Sequence, residues 1–265
     1  MKSILLLFLF IGLHIHGQEF ELVSSAEFNA TTFVGVDSYN NAYSIKDMVL
    51  YKKGPDGSFN FNDFQLGNLS SVDIINPLKI VLFYEDTNTV LFLDNRLNLI
   101  ERITFNNLVE FINISTATNA GNSNLWIFNV DSQQLELYNY NTNQKTIVSQ
   151  PFPGRLISQA SNFNYCFILT ENKLREFNRY GSLISEFPMI GYEKIVHHNK
   201  NIIALKENEL FLIVNDPLNS EHQTVKPINI TIAENKIKDL YLTDDFLYIY
   251  DGKTLDTISY KLSKK

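Results

Sequence analysis

Past its first thirty residues the chain alternates short apolar runs with polar turns rich in Asn and Asp. Six runs lead into such turns: Phe33-Val34-Gly35-Val36-Asp37 before Asn40-Asn41, Ser71-Val72-Asp73-Ile74 before Asn76, Ile112-Asn113-Ile114 before Asn119, Leu156-Ile157-Ser158 before Asn162, Ile195-Val196-His197-His198 before Asn199, and Leu240-Tyr241-Leu242 before Asp244. A second run follows each turn, as at 79–84, 125–128 and 246–250. A third comes next, as at 89–93 and 209–213. The runs are β-branched and aromatic and too short for helices, so each predicts a strand. The turn residues recur 36, 43, 43, 37 and 45 positions apart. Such a period marks a repeated supersecondary unit.

A fourth strand usually completes the unit. Its turn is clearest where Asn95-Arg96-Leu97-Asn98-Leu99-Ile100 echoes Asn178-Arg179-Tyr180-Gly181-Ser182-Leu183-Ile184 with one residue inserted. Polar and Gly turns at these joins fit antiparallel hairpins, and Gly54-Pro55-Asp56-Gly57 reads as another. The last repeat supplies only three strands before a short basic tail, whereas residues 21–28, ahead of the first repeat, match fourth-strand text such as 182–187. The N-terminal strand is therefore expected to complete the last sheet, joining the chain ends and shielding sheet edges.

On this pattern the chain resembles the β-propeller superfamily, in particular the small, secreted, single-domain propellers of Gram-negative envelopes, over roughly residues 21–262. The expected fold is all-β, a six-bladed β-propeller, with five or seven blades as the alternatives. The Gly-His and Trp-Asp signatures of WD40 repeats, a regular Kelch di-glycine and a repeated Asp-rich metal box are missing, which leaves the subfamily open. Pro151-Phe152-Pro153-Gly154 is the one place for a domain boundary. Continuous repeat spacing across it favours a single domain over 18–265.

Lys2 precedes the apolar stretch 4–13, which gives way to His14-Ile15-His16-Gly17 and a polar start at Gln18-Glu19. That is the layout of a secretory signal peptide, 1–17. A membrane-spanning helix needs about 20 apolar residues, roughly twice this run. Cleavage after Gly17 would leave 248 residues and move the formal charge from −7 to −8. The single cysteine, Cys166, excludes an internal disulfide and a thiolate metal cage, so stability must come from an apolar core. With 45% hydrophobic and 13% aromatic residues the chain can build one. An exported chain with one Cys and 31 Asn suits a bacterial envelope, in the periplasm or at the outer-membrane surface, with the extracellular space as the alternative. The acidic balance, 22 Lys+Arg against 29 Asp+Glu, sets nucleic-acid binding aside.

Propellers concentrate function around the central channel, and the inner-strand ends place Asp37, Asp73, Ser115, Ser158, His197, His198 and Asp244 there. Asp37, Asp73 and Asp244 could meet as the acid and base of a hydrolase. The simpler reading is that Asp at a strand-to-turn junction accepts local backbone N–H bonds. His197 and His198 are adjacent, so on a strand they face opposite sides and cannot share one metal. No metal or cofactor is expected. Nucleophile elbows, Walker loops, Rossmann glycines, EF-hand loops and HExxH are missing, so no catalytic residue is assigned. The expectation is a non-enzymatic interaction platform or accessory subunit of a cell-envelope or outer-membrane complex, meeting an envelope protein at a channel mouth formed by Asp37, Asp73, His197, His198 and Asp244. A carbohydrate-active hydrolase or lyase, or a glycan- or small-ligand-binding module, are the rivals. Tyr39, Phe59, Phe61 and Tyr192 are candidate exposed anchors for a partner.

Overall fold

The computed structural model describes residues 19–55, 57–215, 223–230 and 235–261, so the expected leader lies outside the described residues. Six antiparallel four-stranded sheets are arranged as a six-bladed β-propeller. From the axis outward, the first blade is Thr32–Val36, Ala42–Lys46, Val49–Gly54 and Gly57–Phe61. The second is Ser71–Asp73, Ile80–Tyr84, Thr89–Leu93 and Leu99–Thr104. The third is Ile114–Gly121, Asn124–Asn129, Gln134–Asn139 and Gln144–Ile147. The fourth is Leu156–Ser161, Tyr165–Thr170, Lys173–Asn178 and Leu183–Pro188. The fifth is Lys194–His198, Asn201–Lys206, Glu209–Asn215 and Gln223–Pro227. The sixth takes Asp239–Leu242, Phe246–Tyr250 and Thr254–Lys261, and borrows Glu19–Glu27 as its outermost strand. That strand pairs from Glu19↔Lys261 to Glu27↔Thr254 with a bulge between Leu22 and Ser24, and closes the ring as expected.

The apolar runs are explained by where they sit. A middle strand of a blade has a neighbouring blade on each face, so both parities of side chain are buried, as in Ile80–Tyr84 and Thr89–Leu93. Outermost strands lose one neighbour and alternate or open to water, as in Leu99–Thr104. Five apolar clusters fill successive inter-blade gaps, from the pair of the first and second blades to the pair of the fifth and sixth. Trp126 is fully buried between the third and fourth blades, where its indole N–H donates to the Asn162 carbonyl at 2.9 Å. Among the described residues no helix is long and apolar enough to cross a membrane.

The Asn and Asp turns share one construction. Asp37 Oδ1 accepts from the backbone N–H of Tyr39 and Asn41 at 2.9 Å each. Asp94 Oδ1 accepts from Arg96 and Asn98 at 2.8 Å, and Asn178 Oδ1 from Tyr180 and Ser182 at 2.9 and 3.0 Å. In all three the fourth residue (Asn40, Leu97 or Gly181) has positive φ, the geometry of a type I turn ending in a bulge. The echo between the second and fourth blades therefore aligns Asp94 with Asn178, residue for residue, without the inserted residue that the sequence comparison places there. A second correction concerns the third blade. Asn119 lies inside the innermost strand, and the turn falls on Asn122 and Ser123, both at positive φ. Asn119 imitates a turn residue because its Oδ1 accepts from Gly121 N at 2.9 Å while its backbone stays in the ladder.

Candidate functional site: the axial channel

The six innermost strands surround a cavity of about 580 Å³ on the propeller axis. Its wall is polar in the third and fourth blades. Thr116 Oγ1 donates to Gln159 Oε1 at 2.8 Å, Gln159 Nε2 donates to Thr118 Oγ1 at 3.0 Å, and Thr118 and Ser161 share a hydroxyl bond at 2.7 Å. Thr and Ser hydroxyls and the Gln159 amide bond one another across the two blades in place of apolar packing.

The beginnings of three innermost strands meet at one end. Lys194 Nζ donates to Asp239 Oδ1 at 3.0 Å, and Asp239 Oδ2 accepts from Phe33 N at 3.0 Å. One carboxylate thus ties the fifth, sixth and first blades together. Asp239 is buried, and an ion pair there depends on its extra hydrogen bond to offset desolvation. Further along, Tyr241 lays its ring against Gly35: a Cβ on Gly35 would sit 2.4 Å from the ring carbons. Glycine leaves the space that lets a sixth-blade aromatic cross the first blade. Burial, followed by the negative charges of Asp73 and Asp37, pushes the Tyr241 phenol above its usual range.

The residues singled out in the sequence are not all brought together. Asp73, His197 and His198 line the cavity, whereas Asp37 and Asp244 do not. Asp73 Oδ2 accepts from Asn119 N at 2.6 Å and Oδ1 from Ile75 N at 2.9 Å, bridging the second and third blades. Burial still raises its carboxyl above the usual carboxylate range, against the pull of those two N–H groups. Asp37 is buried in its turn, where Oδ2 also accepts from Tyr43 OH at 2.9 Å and Asn41 Nδ2 at 3.1 Å. Asp244 is exposed and accepts from Asn199 Nδ2, with His198 Nε2 at 3.2 Å. His197 points the other way, its ring centroid 4.2 Å from that of Phe167, and burial pulls its imidazole down to about 4. Ser158 Oγ accepts from Ile195 N at 3.2 Å, and Ser115 lies at the start of its strand rather than its end.

Lys194, Asp239 and Tyr241 went unassigned in the sequence. Their signal was positional: Lys194 and Asp239 each stand just before the first apolar residue of an innermost strand. Of the proposed anchors, Tyr39 is 54% exposed, while Phe59, Phe61 and Tyr192 are half-buried. Phe59 and Phe61 pack on the core between the first two blades, and Tyr192 meets Phe211 edge-on. The more exposed aromatic group is on the fourth blade, where Phe163, Tyr165 and Tyr180 emerge from turns joined by Arg179 N donating to Asn164 O at 2.9 Å. Among the described residues no group of three or more His, Cys, Asp or Glu side chains is placed to hold a metal ion.

No family model matches the sequence, and no curated protein does. Solved structures match the fold. A protein of the mitotic checkpoint complex is 8% identical, with a TM-score of 0.65 over 98% of this chain and 99% of that one. A streptogramin B lyase is 13% identical, with a TM-score of 0.61 over 91% of this chain and 98% of that one. The selenomethionine-substituted virginiamycin B lyase from Staphylococcus aureus is 10% identical, with a TM-score of 0.61 over 91% and 99%. At these identities the likeness carries the propeller fold and leaves activity to the site.

Proposed function

We propose that this chain is an exported, non-enzymatic propeller that serves as a protein-interaction platform or accessory subunit in a cell-envelope or outer-membrane complex. The observation that carries the reading is the aromatic group on the fourth blade. Phe163, Tyr165 and Tyr180 are exposed to 38%, 39% and 86% on hydrogen-bonded turns. Rigid, solvent-exposed aromatics lose little conformational freedom on binding and are the usual anchors of protein interfaces. Asp37, taken up entirely by its own turn, weakens the carboxylate-pair alternative. The similar propeller in the mitotic checkpoint complex shows one assembly in which this fold serves.

The test is affinity capture from native envelope fractions with the wild type and a Phe163→Ala/Tyr165→Ala/Tyr180→Ala variant, together with the N-terminal residue of the exported protein. A stoichiometric partner held by the wild type and lost by the variant supports the platform, and a start at Gln18 supports export. An unchanged partner set in the variant, or an uncleaved cytoplasmic chain, overturns it. The axial cavity favours a second reading as a small-ligand or glycan-binding module, because about 580 Å³ lies within the usual size range of ligand pockets.

A further inference from the structure

Five inter-blade gaps are filled with apolar clusters, and the sixth, between the sixth and first blades, is built differently. Near the axis it holds an aromatic group, with Phe33 beside Phe28, Tyr248 and Tyr250 at centroid distances of 5.6, 5.9 and 6.5 Å. Farther out the apolar filling stops. The first blade's second strand is buried only at Tyr43 and Ile45, which face the second blade. Ala42, Ser44 and Lys46 face the other way. Tyr51 and Asn60 lie across from Ser44, and Lys53 and Ser58 across from Ala42, on that same face. A cavity of about 560 Å³ opens on this face, walled at one side by Phe28 and Asn29 of the crossing from the sixth blade.

We propose that this wedge is a binding site for a small hydroxylated anion of about disaccharide size, held through a carboxylate or phosphate. Lys46, Lys52 and Lys53 line it, and no Asp or Glu among the described residues does; the Lys52 ammonium is taken up by the Asn95 carbonyl at 2.8 Å, while neither Lys46 nor Lys53 forms an ion pair within the described residues. Two ammonium groups facing a cleft that no carboxylate among the described residues lines, on a protein of net charge −7, favour an anion there. Ser44, Ser58, Asn29 and Asn60 supply hydroxyl and amide groups for a polyhydroxylated body, and the Tyr51 ring supplies a face for it to stack on. A cleft of this size fits two sugar rings. The assignment does not rest on the interaction-platform reading, which concerns turns of the fourth blade.

The test is calorimetric titration of the whole protein at low salt with digalacturonate, trehalose 6-phosphate and maltose. At least one anion is expected to bind tenfold or more tightly than maltose and to weaken as salt is raised. Lys46→Gln/Lys53→Gln, two side chains outside the core, should keep the melting temperature and lose about tenfold or more in affinity. Ser44→Trp fills the cleft with both charges in place and should likewise abolish binding. The arm that binds tells whether carboxylate or phosphate is preferred. Neither anion exceeding maltose, or undiminished affinity in either variant, overturns the site.

Discussion

Replacing Asp37 by Ala separates a turn carboxylate from a ligand-binding one. Its two oxygens accept from Tyr39 N, Asn41 N, Asn41 Nδ2 and Tyr43 OH, at 2.9 to 3.1 Å. Asp37 is 5% exposed, and Asn41 and Tyr43 are fully buried, so water cannot replace the lost acceptor for three of these four donors. Each buried hydrogen bond to Asp37 that is lost costs about 1–3 kcal/mol, and the relief of no longer burying a carboxylate offsets part of the sum. A net loss of about 3 kcal/mol follows. With a urea slope of about 3 kcal/mol/M, the unfolding midpoint should fall by about 1 M. Asp37→Asn keeps one oxygen for the two backbone donors and should lose about half as much. The control is Asp94→Ala, which removes the same turn bonds from an exposed site, where water substitutes, at a cost of about 1 kcal/mol. Equal midpoints for Asp37→Ala and Asp94→Ala would refute the burial argument. A fully stable Asp37→Ala protein that no longer captures its partner or ligand would assign the carboxylate to binding.

Three further outcomes follow from the same geometry. Gly35→Ala places a methyl 2.4 Å from the Tyr241 ring and should cost about 2 kcal/mol or more in a denaturation series; adding Tyr241→Ala should recover part of that loss, and strict additivity of the two would sink the contact. His197 has a folded pKa near 4 against an ordinary 6.5, so between those values the unfolded chain binds the extra proton; its contribution is complete above pH 6.5 and is lost as pH falls toward 4. His197→Gln should therefore flatten the fall in urea midpoint between pH 6.5 and 4, and an identical slope in wild type and variant would count against it. Cys166 is fully buried, and burial raises its thiol well above the ordinary value, so a thiol reagent should label it only at the unfolding rate; prompt labelling of the native protein would contradict the packing between the third and fourth blades.

The repeat and its closure were legible because they are written locally. Strand length, turn chemistry and the fourth-strand likeness of the N-terminal segment depend on residues a few positions apart, and the pairing of Glu19–Glu27 with Thr254–Lys261 follows once the last repeat is seen to be one strand short. The channel was legible only in part. Asp239 bonds the backbone of Phe33, 206 positions away, and Tyr241 needs the missing side chain of Gly35; both contacts exist only because the ring brings the sixth blade beside the first. Asp37 and Asp73 read alike in the sequence, each at the end of an innermost strand. They diverge because Asp37 has a turn of its own to satisfy, while Asp73 reaches across to the third blade.

The polar wedge, by contrast, was written in the sequence in a form that the repeat made easy to pass over. A second strand enclosed by two blades is buried at both parities, as Ile80–Tyr84 is throughout and Asn201–Lys206 is at its four central residues. In the first blade the corresponding text is Ala42-Tyr43-Ser44-Ile45-Lys46, apolar on one parity and small or charged on the other. Strict alternation in a strand states that one of its faces is wet. The sixth blade's second strand also leaves Phe246 and Tyr248 half-exposed, and among the described residues no other second strand alternates in this way. The two alternating strands belong to the two blades that meet where the ring begins and ends. Glu19–Glu27 closes the ring by backbone pairing inside the sixth blade, and the gap beside it is packed near the axis by Phe28, Phe33, Tyr248 and Tyr250 and polar farther out. Closure by that pairing and by the axial aromatics lets lysines and hydroxyls stand farther out in the same gap.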